Sequence, residues 1–143
     1  MYFPIQASPS RIGASSLLLT ESLPVSDLTD AHMSHFYFCG EPEAPTAVVG
    51  FELCGPDALL RSLVVSQEMR SRGIGKQLVS HAENEARALG VSNMYLLTTT
   101  AEPFFSSLGY VKADREQAPE GIRATREFSS ICPASSAFMV KRL

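Results

Sequence analysis

At 143 residues the chain is long enough to bury about two thirds of the surface its unfolded form exposes, and it reads as one domain spanning 1–143. A formal charge of -3 and a pI near 5.6 leave no global basic field, which argues against nucleic acid or an anionic membrane as a partner. Cys39, Cys54 and Cys132 form no Cys-x-x-Cys pair, so neither a metal site nor a disulfide framework is expected, and buried free thiols are. The N-terminus lacks a basic stretch followed by a signal-length apolar core, no segment approaches the ~18 apolar residues of a membrane span, and a cytoplasmic location is expected.

Ser8, Pro9 and Ser10 precede a helical pattern from Ile12 to Leu19, which Pro24 follows. Asp27 to Asp30 offer capping groups for a short second helix before the aromatic, strand-like Phe36-Tyr37-Phe38-Cys39. After a turn at 40–45, a hairpin is expected from Ala47 to Cys54 and from Ala58 to Val65, closed by Gly55-Pro56-Asp57. Strict alternation in its second strand puts Leu59, Arg61, Leu63 and Val65 on one face, with Leu60, Ser62 and Val64 on the other. Arg61 is the odd member of an apolar face.

A longer helix is expected over Ile74 to Leu89, with Ile74, Leu78, Ala82, Ala86 and Leu89 at core spacing, Glu83 largely on another face, and Gly90 as its C-cap. Ser92 to Thr100 supplies a further strand, parallel to the earlier one through a right-handed crossover. Beyond it, 116–122 breaks strand patterns, Arg123 to Ile131 reads as a short helix, and Ser136 to Lys141 as a closing strand.

The most informative stretch is Arg70-Ser71-Arg72-Gly73-Ile74-Gly75, between the apolar strand and the long helix. Two glycines let backbone approach a ligand, and the following helix directs unpaired N–H groups and its positive dipole end at an anion. A Walker A loop requires Gly at 70 and Ser or Thr at 77, where the chain has Arg70 and Gln77. A dinucleotide fingerprint requires a third glycine at 78, which is Leu78.

The spacing that fits is Arg/Gln-x-x-Gly-x-Gly/Ala, and with it the chain resembles the GNAT acetyltransferase superfamily. Val48-Val49-Gly50-Phe51 and the segment from Phe104 to Tyr110 support the likeness, which covers roughly 46 to 112. The resemblance implies an α+β fold: a central, mostly antiparallel twisted sheet with a splayed parallel strand pair, flanked by helices. It also implies acetyl-CoA as cosubstrate. Main-chain groups of Leu63 and Val65 would hold the pantetheine arm, and the N–H groups of Arg70, Ser71, Arg72, Gly73, Ile74, Gly75 and Lys76 the pyrophosphate. Thr100, Phe104 and Phe105 would complete the cofactor side. Dimers are common in the superfamily.

The superfamily's thiolate-protonating tyrosine falls at Phe105, leaving Tyr110 or Thr98 as candidate donors, with Thr99, Thr100 or a water as further options. Its glutamate base has no counterpart on the Arg61 strand, and Glu52 is the alternative carboxylate, with a water-mediated base or simple deprotonation of a low-pKa amine as further options. Leu97 to Phe105 and the tail residues Arg115, Pro119, Ile122, Thr125 to Phe128 and Cys132 to Ser135 resemble amino-acid N-acetyltransferases of an arsenic-resistance branch. That likeness implies a small amino acid, or a phosphinate or arsinate glutamate analogue, as acceptor. Arg61 is then the first candidate for its carboxylate, with Arg115, Arg123 and Arg126 behind it. Two other readings compete: an acyl-CoA-binding sensor without turnover, and a protein acetyltransferase.

Overall fold

The computed structural model describes residues 4–131 and 135–143. Cys132, expected to be a packed thiol, lies outside them. Strands β1 (Gln6–Ala7), β2 (Phe36–Glu41), β3 (Ala44–Cys54), β4 (Asp57–Val65), β5 (Asn93–Thr98), β6 (Val111–Lys112) and β7 (Ala137–Arg142) form one sheet in the order β1-β2-β3-β4-β5-β7-β6. Every neighbouring pair is antiparallel except β4 and β5. The mostly antiparallel α+β sheet with one parallel pair is thus present. The two-residue strands β1 and β6 carry too few residues to show an alternating pattern, and sequence alone did not indicate them.

Helix α1 (Arg11–Leu19) starts where Ser10 accepts from the Gly13 amide. It buries Ala14 and Leu18 on one face of the sheet against Phe36, Phe38, Val48 and Val64. The other face is covered by α2 (Ile74–Ala88), whose Ile74, Leu78, Val79, Ala82 and Ala86 pack with Tyr37, Val49, Phe51, Leu60, Met94 and Leu96. A 3-10 turn at Asp30–His35 takes the place of the expected second helix, with Thr29 as its N-cap. Two helical expectations fail at the margins of α2. Leu89 is 54% exposed, and Glu83 is buried.

Alternation in β4 breaks at Ser62. Val48 pairs with Val64 and Gly50 with Arg61, so Ser62 and Leu63 oppose the single residue Val49, and Ser62 takes φ +61°. The bulge moves Leu63 and Val65 onto the α2 face, while Leu59 packs with Ile122, Ala118 and Phe138 on the opposite one. The expected shared face of Leu59, Arg61, Leu63 and Val65 is therefore corrected.

The bulge also ends the pairing with β5. Register between the parallel strands runs from Asp57 with Asn93 to Leu60 with Leu96 and goes no further. Beyond that point the two strands leave an open wedge. Helix α3 (Glu102–Ser107) follows β5, and the tail folds as a 3-10 turn at Arg115–Gln117, a one-turn helix α4 (Glu120–Arg123) after Pro119, and a wide turn at Glu127–Ile131. Helix therefore begins earlier than expected and breaks at Ala124. No helix among the described residues is long and apolar enough to cross a membrane.

Candidate active site

The wedge between β4 and β5 is a cleft of about 950 Å³. One end is the glycine-rich turn. Ser71 and Gly73 both take left-handed backbone, φ +65° and +79°, so the chain coils tightly before α2. Gly73 is the N-cap of α2 and has no side chain to cap with, and the first intrahelical bond is Gln77 N–H to the Gly73 carbonyl at 3.1 Å. The amides of Ile74, Gly75 and Lys76 consequently have no partner within the helix and stand at the cleft. A Cβ on Gly73 would meet nothing within 4 Å, as expected where a ligand comes close to backbone.

Of the residues expected on the cofactor side, Leu63, Val65, Arg70, Ser71, Gly73, Ile74, Gly75, Lys76, Thr100, Phe104 and Phe105 line this one cleft. Arg72 does not line it, and instead donates to the Glu68 carbonyl at 3.3 Å. Arg70 turns its side chain across the mouth, donating to the Val65 carbonyl at 3.0 Å and pairing with Glu21 at 2.5 Å. The Val65 carbonyl thus already has a donor.

The catalytic candidates separate. Tyr110 is 1% exposed, donates to Glu83 Oε2 at 2.9 Å, and does not line the cleft. Burial, with the Glu83 carboxylate beside it, pushes its phenol far above the ordinary tyrosine range. Lys141 completes this group, 3.0 Å from Glu83 Oε1. Tyr110 is accordingly a packing residue, and the proton-donor assignment is corrected. Tyr110→Phe is expected to leave kcat within about twofold and to cost about 1 kcal/mol of stability, the order of one buried hydrogen bond. A hundredfold fall in kcat would return the phenol to the chemistry.

Thr98 does line the cleft, its Oγ1 accepting from the Ala101 amide at 3.0 Å, which leaves the hydroxyl proton available to donate. Glu52 does not line it. Its carboxylate accepts from Arg61 Nη1 at 3.0 Å and lies 3.6 Å from His32 Nε2.

Arg61 lies at the deep end of the cleft with its side chain 0% exposed. Its guanidinium donates through both terminal nitrogens to Asp27, through Nη1 to Glu52 and through Nε to Ser62 Oγ. Its Nη2 is also 3.2 Å from Glu127 Oε1. Every nitrogen already has a protein acceptor, so the group cannot clamp a substrate carboxylate without giving one up, and that expected role is corrected. Burial opposes charge on Asp27, yet the Arg61 bonds hold its carboxyl below the usual range. Arg61 itself stays protonated.

The tail arginines do not line the cleft either. Arg115 donates to the Ser136 carbonyl at 3.1 Å and lies over the Phe128 ring, 5.4 Å from its centroid. Arg123 bonds the carbonyls of Ala118, Arg115 and Glu116, and Arg126 is exposed. The first two arginines tie the tail to itself rather than facing a ligand.

Glu127 and Ser136 also line the cleft, and neither was assigned a role from the sequence. Glu127 is 4% exposed, and burial, together with the Asp27 and Glu52 carboxylates, pushes its carboxyl up to about 7 against the pull of Arg61. It is aimed inward by the turn after α4, where the buried Thr125 hydroxyl donates to Ile122 and accepts from the Phe128 amide. The available signal was Arg61 itself, since a basic residue in an apolar strand demands buried acids.

The chain belongs to the acetyltransferase (GNAT) domain family, whose profile matches residues 28–126. An amino-acid acetyltransferase of Ralstonia nicotianae is 36% identical over 61 residues, 43% of this chain and 14% of that protein. An uncharacterised N-acetyltransferase of Chlorobaculum tepidum is 38% identical over 65 residues, 46% of this chain and 41% of that one. The matches thus span under half the length of either relative. Among solved structures, N-acetylglutamate synthase from Neisseria gonorrhoeae, complexed with coenzyme A and N-acetyl-glutamate, superposes with a TM-score of 0.84 at 20% identity, over 100% of this chain and 35% of that one.

Proposed function

We propose that the chain is an acetyl-CoA-dependent N-acetyltransferase that carries the acetyl group to the amine of a small amino acid by direct attack in a ternary complex. The observation that carries this reading is one continuous cleft with two unlike ends: open helix N-terminal amides at the first, and a buried, acidic pocket at the second. The amides of Ile74, Gly75 and Lys76 suit a pyrophosphate, and the wedge between β4 and β5 suits an extended pantetheine arm. The family and the names of its amino-acid acetyltransferase relatives support the same assignment. In this reading the walls exclude water, Thr98 is within the cleft to protonate the leaving thiolate, and no covalent enzyme intermediate is needed.

The finer reading, a phosphinate or arsinate glutamate analogue, rests on the likeness of the tail to an arsenic-resistance branch. Because Arg61 is saturated, the geometry favours an acceptor without a second anion at the deep end. Thiol release measured over a panel of amino acids and phosphinate analogues with acetyl-CoA tests both. Turnover confined to amino acids without a second anionic group is expected. Failure to bind acetyl-CoA would overturn the reading, and tight binding without turnover on any amine would favour an acyl-CoA-binding domain instead.

A further inference from the structure

We propose that Glu127 is the group that takes the proton from the acceptor ammonium, that the Ser136 hydroxyl hydrogen-bonds the acceptor beside it, and that Arg61 is the positioning residue that holds Glu127 in place. This rests on the amine-acetylating reading above and names its reacting end.

Three observations meet at one place. Glu127 and Ser136 are both more than nine-tenths buried, and both line the cleft next to Arg61. Ser136 Oγ is out of solvent and has no hydrogen-bond partner among the described residues, a position that is costly unless a ligand supplies one. Arg115 donates to the Ser136 backbone carbonyl, which anchors the main chain at this position.

The third observation is charge. Asp27, with two bonds to the guanidinium, already neutralises Arg61, yet Glu52 and Glu127 contact the same group, so the buried cluster is short of cations when its acids are ionised. Of the titratable groups packed around Glu127, Arg61 comes from β4, Glu52 from β3 and Asp27 from the segment after α1, with His32 behind Glu52. Glu127 is the acid of the three that lines the cleft. An ammonium arriving there supplies the missing positive charge. A carboxyl raised to about 7 is also able to accept a proton and release it near neutral pH.

Glu127 carboxylate removes one proton from R–NH3+, and the freed nitrogen lone pair forms the C–N bond to the thioester carbon. The C–S bond breaks, the thiolate takes a second proton from the nitrogen through a cleft donor, and Glu127 returns its proton to solvent. The products are the amide, the free thiol and one proton.

The test uses the intact chain, acetyl-CoA and an amino acid that the panel shows to be acetylated. Wild type is expected to show kcat/KM for the amine rising with pH to a plateau, with a midpoint near 7. Glu127→Gln keeps the shape and an acceptor for Arg61 but not the basicity. It is expected to lose about a hundredfold in kcat/KM at pH 7.5, within the usual range for a general base. Its acetyl-CoA Kd should stay within about twofold, and its pH limb should move to the titration of the acceptor's own ammonium, so that the deficit shrinks at alkaline pH. A merely structural Glu127 would move none of these together. Ser136→Ala should raise KM for the amine about fivefold and spare kcat. Wild-type kcat/KM without a limb near 7, which needs no variant to fold, overturns the proposal. So does Glu127→Gln with unchanged kcat/KM while wild type turns over. Absence of turnover on every amine overturns the amino-acid reading and this proposal with it.

Discussion

Arg61→Met is expected to destabilise the chain by about 3–5 kcal/mol, the usual penalty for removing one partner from a buried ion network. For a domain of this size that lowers Tm on the order of 10 °C. The arginine side chain is wholly buried, and its loss leaves Asp27, Glu52 and Glu127 facing one another without a cation. The penalty depends on pH. In wild type, Asp27 has a depressed carboxyl, which adds stability above its unfolded value and loses it in acid. Glu127 has a raised one, and its contribution falls as pH climbs from the ordinary carboxylate range through about 7. Without Arg61 the buried carboxylates of Asp27 and Glu127 lose their counter-charge, so the variant weakens progressively as pH rises. Urea unfolding of both proteins at pH 5 and pH 8 should therefore show a larger gap at pH 8. A gap below about 1 kcal/mol, or one equal at both values, would mean that the network is solvated rather than buried.

The same residue shows how far the sequence carried and where it stopped. Strands β2 to β5 and helix α2 were legible because their apolar residues recur at strand and helix periods, and the turn between β4 and α2 because glycine spacing there is constrained by backbone geometry. Arg61 stood out as a lone charge in an apolar strand. The faces of Leu63 and Val65 beyond it were not legible, because the bulge at Ser62 uses a non-glycine residue at positive φ that leaves no mark in the sequence. The partners of Arg61 come from the segment after α1, from β3 and from the tail. Nothing local says which of the 15 acidic residues of the chain will meet it. Glu127 was the least legible of these, lying in a wide turn outside any period. Glu83 failed for a different reason. It sits at the margin of the apolar arc of α2, where helical spacing alone does not decide burial, and the deciding neighbours, Tyr110 and Lys141, are remote in sequence.

Gly73→Asp is expected to leave the fold nearly intact while raising the acetyl-CoA Kd tenfold or more, at least about 1.4 kcal/mol. Two opposing effects act on stability. A non-glycine residue at φ +79° costs roughly 1 kcal/mol, though aspartate tolerates left-handed backbone better than most. Against that, a carboxylate at the N-cap of α2 accepts from the first-turn amides and sits well in the helix dipole. A Cβ at this position has open space around it, so no steric penalty is added. The very contacts that stabilise the helix remove the donors a pyrophosphate would use, and they place negative charge where that anion must come. Gly73→Ala separates the two effects, since it carries the backbone strain without the carboxylate and should change affinity only a few fold. Calorimetric titration with acetyl-CoA beside thermal unfolding of both variants gives the comparison. An aspartate variant that binds as tightly as wild type would remove the phosphate role from this turn. An alanine variant as impaired as the aspartate one would assign the loss to the shape of the backbone and not to competition for its amides.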